Sequence, residues 1–465
     1  MIRPLADAGS FRDPSGRIYE AGGEIYRTVS RRAAEEYGYV QASGLLEKLM
    51  ADGKVVGTEA VDHSVLTDAG IETAMVLRHQ RIPFISYPYE WPFSLLKSAA
   101  LLHLDIHIEA LKSGVTLSDA SAFNVQFRGV EPVFIDVLSF KRYRDGEVWA
   151  GHRQFCEQFL NPLLLRALFG VPHNEWYRGR LEGIQTEDLA DLLPWWRNLS
   201  FNVLSHVTLQ ARLQRAALAG NGHHVERAKS AKLSKRSFLA MLEQLRHWIE
   251  SLKPAKSSAT TWQNYAENTT YATEERSAKR RVISAFCQTA RPGVLWDLGC
   301  NTGEYSEAAL TTGVKHVIGF DYDQGALEGA VARAKARTLD LLPLYQDGAN
   351  PSPDQGWRGC ERGSAQRRGG ANALIALAFE HHLTIGRNVP LAQVVEWLVS
   401  LAPKGIIEFV PKSDPTVQKL LALREDIFAD YNAVSFEAAL SKPALVIAAE
   451  RVSSSGRTLY SYERR

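Results

Sequence analysis

The sequence is poor in cysteine, in excess charge and in long apolar runs, and each shortage removes a class of protein. Its four cysteines, Cys156, Cys287, Cys300 and Cys360, are scattered over 465 residues. There is no CxxC pair, and no cysteine is read as having a closely spaced histidine, so neither a disulfide framework nor a metal site is expected. The thiols read as reduced groups in a cytoplasmic protein. Lysine and arginine number 54 against 52 aspartates and glutamates, a balance of +2. Such a chain offers no large field to a phosphate backbone, and no nucleic-acid partner is expected. The stretch from Met1 to Ser10 lacks the apolar core of a secretory signal, and no later stretch is long enough to span a bilayer. What remains, with 45% hydrophobic and 23% charged residues, is an ordinary globular composition whose length suggests two or three domains.

Charge is unbalanced locally between about residues 210 and 260. Arg212, Arg215, Arg227, Lys229, Lys232, Lys235, Arg236, Arg246, Lys253 and Lys256 face only Glu226, Glu243 and Glu250 there. A run of this kind is a solvated helical face or, less commonly, a site for an acidic partner. Within it Phe238, Leu239, Leu242, Leu245, Trp248, Ile249 and Leu252 recur at helical spacing. The stretch closes in Lys253-Pro254-Ala255-Lys256-Ser257-Ser258-Ala259-Thr260, which reads as a linker. Residues 1–255 are therefore expected to form an N-terminal α+β region that becomes helical, and residues 256–465 a second domain.

Beyond the linker, strands and helices alternate. Val294–Asp297 and Val317–Asp321 read as strands, each followed by a helix, Glu304–Leu310 and Gln324–Arg337. Ala373–Phe379 is a continuous apolar run suited to a buried central strand, Leu391–Leu401 is helical, and Gly405–Val410 is a further strand. Leu445–Ile447 and Thr458–Tyr462 fit a closing hairpin. This alternation implies a Rossmann-like α/β fold, a doubly wound sheet that binds ligands beyond the carboxyl ends of its strands.

The sharpest local signal is Asp297-Leu298-Gly299-Cys300-Asn301-Thr302-Gly303. An acid ends a strand, and Gly299 and Gly303 leave room for a ligand to approach the backbone, with Asn301 tolerant of unusual angles. G-x-G-x-x-G is absent. The order D-x-G-x-x-x-G resembles motif I of class I S-adenosylmethionine-dependent methyltransferases. Asp321 ends the second strand about twenty residues on, where an acid can accept both ribose hydroxyls, with Asp323 as a nearby competitor. Asp347 follows the third strand, where that family often places a residue beside the adenine. The expected S-adenosylmethionine contacts are thus Asp297, Gly299, Asn301, Gly303, Asp321 and Asp347.

Methyl transfer asks for alignment, and for a base only when the nucleophile arrives protonated. Glu380, His381 and His382 follow the fourth strand and are the catalytic candidates, each with the alternative of bonding or capping the strand end. The N/D-P-P-Y/F pattern of many adenine and glutamine amino-methyltransferases is missing.

Three stretches, Asp297 to Ser306, His381 to Pro390 and Ile407 to Lys412, resemble the methyltransferase-like family that includes the rhizobial host-specificity nodulation protein NoeA. Trp262-Gln263-Asn264-Tyr265-Ala266-Glu267-Asn268 fits the same family, and the similarity extends into the N-terminal half. The resemblance implies a role in host-specific nodulation, with an unknown small-molecule or glycolipid acceptor. Asn372 departs from the usual pattern, in which an acid opens the fourth strand.

The N-terminal half carries a weaker constellation. Asp119, Asn124 and Asp136, after a helical stretch from Ser94 to Lys112, stand in the order in which kinase-like phosphotransferases place a base and two magnesium ligands. Leu117-Ser118 replaces the usual histidine, no phosphate-binding lysine can be named, and Asp119 and Asn124 have the alternative of shaping a turn. Three readings follow: a methyltransferase, a cofactor-binding regulatory protein without turnover, and a phosphotransferase.

Overall fold

The computed structural model describes residues 4–67, 73–218, 232–255, 270–422 and 424–465. Glu226, Arg227 and Lys229 of the basic run, Lys256 to Thr260 of the linker, and Trp262 to Asn268 lie outside the described residues. The chain divides into two compact units, one of residues 1–127, 131–257 and 355–362, the other of 128–130, 258–354 and 363–465.

The first unit opens with a five-stranded antiparallel sheet of β1 (Leu5–Ala6), β2 (Ile18–Ala21), β3 (Glu24–Val29), β4 (Thr58–Val61) and β5 (Met75–His79), ordered β1-β2-β3-β5-β4. Helix α1 (Phe93–Lys112) follows. Its apolar residues run around much of its circumference, from Phe93 to Leu111, and it is correspondingly buried. Four short strands come next, β6 (Val115–Leu117), β7 (Val125–Arg128), β8 (Glu131–Phe134) and β9 (Phe140–Arg142), paired β6 with β9 and β7 with β8. The turns between them carry Asp119, Asn124 and Asp136. The helical spacing in the basic stretch becomes α2 (Lys235–Ser251), which buries Phe238, Leu242, Leu245 and Ile249. Its Arg246 pairs with Asp105 of α1 and with Glu250.

The second unit begins with α3 (Thr270–Ala290) and is built on a seven-stranded sheet. In chain order its elements are β10 (Val294–Leu298), α4 (Glu304–Leu310), β11 (His316–Asp321), α5 (Gln324–Arg337), β12 (Leu341–Tyr345), β13 (Ala373–Ala376), α6 (Glu380–Arg387), α7 (Leu391–Leu401), β14 (Lys404–Phe409), α8 (Pro415–Leu421), α9 (Ala433–Ser441), β15 (Ala444–Arg451) and β16 (Thr458–Arg464), besides a short 3₁₀ turn at Trp357–Gly359 that belongs to the first unit. The spatial order is β12-β11-β10-β13-β14-β16-β15, parallel as far as β14, with β16 and β15 antiparallel. This is the Rossmann-like sheet that the alternation implies, closed by the late hairpin. Leu295, Leu374, Ile375, Ile406 and Ile407 are fully buried at its centre. Each such side chain contributes about 1.5 to 3 kcal/mol relative to exposure.

Two details differ from the sequence pattern. The fourth strand stops at Ala376, not Phe379, because Ala378 adopts a left-handed φ of 48° and sends its N–H to Glu408 Oε2 at 2.8 Å. Asn372 performs a strand-opening role of its own, since its Oδ1 accepts the Val294 N–H at 2.8 Å and joins β13 to β10. The chain leaves β10 toward β11 on one side and reaches β13 on the other, so the strand order reverses at β10. That reversal opens a crevice at the carboxyl ends.

Candidate functional site

The turn after β10 sits at this crevice. Gly299, Asn301 and Gly303 have φ of 76°, 50° and 77°, left-handed values that glycine adopts freely and asparagine tolerates best among the rest. A Cβ on Gly299 would lie 3.3 Å from Phe379 Cδ2, and one on Gly303 only 2.8 Å from Leu341 Cδ2. The turn is fastened to β11 by the Gly299 and Cys300 N–H groups, which both reach Phe320 O, at 2.8 and 3.0 Å. The Asn301 N–H then donates to Asp321 Oδ2 at 2.8 Å, and the Asp323 N–H to Asp321 Oδ1 at 2.8 Å. Burial raises the Asp321 pKa, and these backbone N–H groups oppose the rise.

The other acids have distinct tasks. Asp323 caps α5, its Oδ1 accepting the N–H groups of Gly325 at 2.7 Å and Ala326 at 3.0 Å. Asp297 is buried and accepts the Ser306 hydroxyl at 2.5 Å, which ties the end of β10 to α4; burial pushes it up to about 7. Asp347 accepts the Ala349 N–H at 2.9 Å and pairs with Arg387 at 3.2 Å. The ends of β11 and β12 are held together by the Gln346 N–H on Asp321 O at 2.9 Å. Tyr322, which the sequence reading passed over, is 55% exposed beside Asp321, with its ring 5.7 Å from that of Tyr345. An aromatic directly after a strand-end acid was the available signal.

Glu380, His381 and His382 open α6. Glu380 and His381 are wholly enclosed, whereas His382 is half-buried. Glu380 Oε1 accepts the Val410 N–H at 2.9 Å and the Tyr431 hydroxyl at 2.8 Å, and Oε2 lies 3.1 Å from His381 Nδ1. Burial pushes Glu380 up to about 8 and brings His381 down to about 4 and His382 to about 3. At neutral pH the carboxyl is therefore largely protonated and both imidazoles are neutral. The sequence reading also missed the charges beneath them. Glu408, fully buried on β14, pairs with the buried Lys279 of α3 at 2.7 Å, and Lys279 also reaches Glu275 at 2.8 Å. Arg457 grips Asp414 through two bonds of 2.7 and 2.9 Å. Burial alone would raise Asp414, but Arg457 holds it well below the usual carboxylate range. The one available signal was Glu408 itself, an acid inside the apolar run from Ile406 to Val410.

In the first unit Asp119, Asn124 and Asp136 come together: Asn124 Nδ2 is 3.1 Å from Asp119 Oδ2 and 3.4 Å from Asp136 Oδ2. Arg27 of β3 is nearly buried, bonds Asp136 at 2.7 Å and also pairs with Asp13. Burial, and then the charge of Asp136, raises the Asp119 pKa.

All four cysteines are free thiols. The expectation that no cysteine has a closely spaced histidine is corrected by Cys156. His152 precedes it by four residues, one helical turn, and lies with its Nε2 3.7 Å from Cys156 Sγ; His206 joins them from a second helix. Among the described residues no helix is long and apolar enough to cross a membrane.

Compared with the patterns of known protein families, the chain matches none. Among solved structures, it is similar to the N-methyltransferase NodS from Bradyrhizobium japonicum WM9, with a TM-score of 0.32 and 10% identity over 43% of this chain and 98% of that one. It is also similar to the magnesium protoporphyrin IX methyltransferase ChlM from Synechocystis PCC 6803, with a TM-score of 0.31 and 16% identity over 44% of this chain and 89% of that one. Scores and identities this low leave the chemistry of this chain open. The nodulation protein NoeA of Rhizobium meliloti (strain 1021) is different in degree, being 46% identical over 462 residues, 99% of this chain and 97% of the relative. On that near full-length identity, the chain belongs to the family of the nodulation protein NoeA.

Proposed function

We propose that this chain is an S-adenosylmethionine-dependent methyltransferase whose cofactor lies at the crevice beside β10, and that it acts in host-specific nodulation on a small-molecule or glycolipid acceptor. The observation that carries the reading is the Asn301 N–H bonded to Asp321, which fastens a turn without side chains at Gly299 and Gly303 to a strand-end carboxylate. A nucleoside needs both parts, close backbone approach and an acceptor for paired ribose hydroxyls.

The residues fit such a group. An ionised carboxylate has about four acceptor sites, and Asp321 uses one on each oxygen for the Asn301 and Asp323 N–H groups. Tyr322 offers an exposed aromatic surface to a base. Asp347 is oriented at the end of β12 by Arg387, and Asp297 acts by holding α4 through Ser306. S-adenosylmethionine supplies an already activated methyl group. The protein's part is to align the acceptor and, where needed, remove its proton. His382, neutral and half-buried, is the group proposed to take that proton, while Glu380 and His381 position α6 from beneath. The two domains, 1–255 and 256–465, are proposed to carry separate tasks.

Titration calorimetry on the full chain tests this. Wild type should bind S-adenosylmethionine, and Asp321→Ala should bind at least about tenfold more weakly, since a charged hydrogen bond is worth about 1.5 to 3 kcal/mol. A folded wild type that does not bind would sink the proposal. Binding without transfer of labelled methyl to extracts would favour a regulatory protein.

The grouping of Asp119, Asn124 and Asp136 favours a second reading, a kinase-like first domain. Kinases carry a lysine on the third strand. Here that strand carries Arg27, already bound to Asp136 and Asp13, so the acid that would hold magnesium is neutralised by the chain itself. Magnesium-dependent ATP hydrolysis that disappears in Asp119→Asn would support phosphoryl transfer; its absence in wild type would leave a kinase-like arrangement without turnover.

A further inference from the structure

Two helical runs of the first unit depart from α-geometry. The run from His152 to Phe169 widens into a π-turn over Cys156–Leu160. The run that starts at Phe201 does the same over Leu204–Thr208. Such turns are rare and occur mostly where side chains must be aimed at a functional point. Here they aim three donors at one another. His152 Nε2 lies 3.1 Å from His206 Nδ1 and 3.7 Å from Cys156 Sγ, and all three atoms fall within 4.8 Å of one another.

The geometry points to a zinc-class metal site formed by His152, Cys156 and His206. An ion with Zn–N bonds near 2.05 Å and a Zn–S bond near 2.3 Å in tetrahedral array has N···N edges of about 3.3 Å and N···S edges of about 3.6 Å. The observed 3.1 and 3.7 Å lie close to these edges, and the third, between His206 Nδ1 and Cys156 Sγ, is within 4.8 Å and closes by side-chain rotation. His152 and Cys156, four residues apart, share one helix face, and His206 arrives from the other helix, so one ion would clip the two π-turns together. The donor set of one thiolate and two imidazoles suits this borderline-soft ion, with water completing the fourth position. Ligation takes both imidazoles neutral and Cys156 as the thiolate, so binding converts Cys156–SH to a zinc-bound thiolate and releases one proton to solvent. Without an ion, one imidazole must donate its ring N–H to the other.

The site bears on the Asp119 loop. On the same helical run Gln154 accepts the Ala120 N–H at 3.0 Å and Gln158 accepts the Ala122 N–H at 2.8 Å. An ion that stiffens the run therefore stiffens the segment between Asp119 and Asn124.

The test uses the full-length chain. Metal analysis of purified protein should find about one equivalent of zinc. Dialysis against a chelator should lower the melting temperature, and zinc should restore it. Cobalt(II) titrated into the stripped protein should give the visible bands of a tetrahedral site together with a thiolate-to-cobalt charge-transfer band. Cys156→Ser should lose the charge-transfer band, and His206→Gln should weaken cobalt binding, each with a native circular dichroism spectrum. The proposal is overturned if stripped wild type binds neither zinc nor cobalt at micromolar concentration, or if the cobalt spectrum is unchanged in both variants. An intense blue copper(II) complex with no zinc binding overturns the choice of ion. Because the chelation and cobalt titrations use wild type, the result stands even where a variant fails to fold.

Discussion

A valine at position 299 tests the glycine turn at the smallest scale. Its backbone would have to hold a φ of 76°, which costs a branched residue about 1 to 2 kcal/mol. Its Cβ would also press within 3.3 Å of Phe379. Gly299→Val should therefore abolish S-adenosylmethionine binding while circular dichroism stays close to native; a folded variant that binds normally would contradict the site. Glu380 separates position from chemistry. Glu380→Ala strips the Val410 N–H and His381 Nδ1 of their buried partner and should cost about 2 to 4 kcal/mol in urea unfolding. Glu380→Gln should cost about 1 kcal/mol or less, because the native carboxyl, at about 8, is already largely protonated at neutral pH. If instead both variants keep native stability and lose methyl transfer, Glu380 is chemical. The residue identities of this turn could be read in advance, since glycine, asparagine and a strand-end acid each act through backbone conformation. The enclosure of Glu380 could not, because it depends on Tyr431 and Val410, far along the chain.

At the scale of elements, β14 holds the second unit through a charge. Glu408 is fully enclosed, Lys279 of α3 lies 2.7 Å away, and the Ala378 N–H that ends the fourth strand bonds the same carboxylate. Glu408→Ala leaves a buried ammonium poorly compensated and should destabilise by about 3 to 5 kcal/mol. The double substitution Glu408→Met with Lys279→Met should recover most of that loss, because replacing a buried pair by apolar side chains of similar volume is close to neutral. Denaturant unfolding of the two singles and the double checks this, and additive losses would show that the two charges do not depend on each other. Elements set by local period were legible: α4, α5 and α7 have the expected bounds. β13 was misjudged by three residues because the apolar run from Ala373 to Phe379 continues through Ala378, whose left-handed backbone answers to Glu408 rather than to its own neighbours.

For the whole molecule, buried ionisable groups set the response to pH. His79, His103, His173, His381 and His382 are held between about 3 and about 4 by burial, below their ordinary 6.5. Groups depressed in this way stabilise the fold fully above about 6.5, and that contribution is lost as pH falls through their folded values. Each proton bound in excess by the unfolded chain removes about 1.4 kcal/mol per pH unit. Asp297, at about 7, and Glu380, at about 8, are raised and act oppositely, their contribution vanishing as pH climbs through those values. The histidines outnumber these carboxyls, so the melting temperature should peak at about pH 6.5 to 7, drop steeply toward pH 5 and decline gently toward pH 8. A flat profile between pH 5 and 7 would show that these imidazoles are not buried neutral.

Local pattern was enough for the alternation of strand and helix, the closing hairpin and the turn from Asp297 to Gly303, because periodicity and backbone tolerance are properties of neighbours in sequence. The order of Asp119, Asn124 and Asp136 was also visible, although only folding sets Arg27 against Asp136. The ion pairs of Glu408 and Arg457 and the approach of His206 to the His152–Cys156 pair join residues separated by tens to more than a hundred positions. No local period encodes such meetings; they arise when packing brings distant side chains out of water and leaves them only one another as partners.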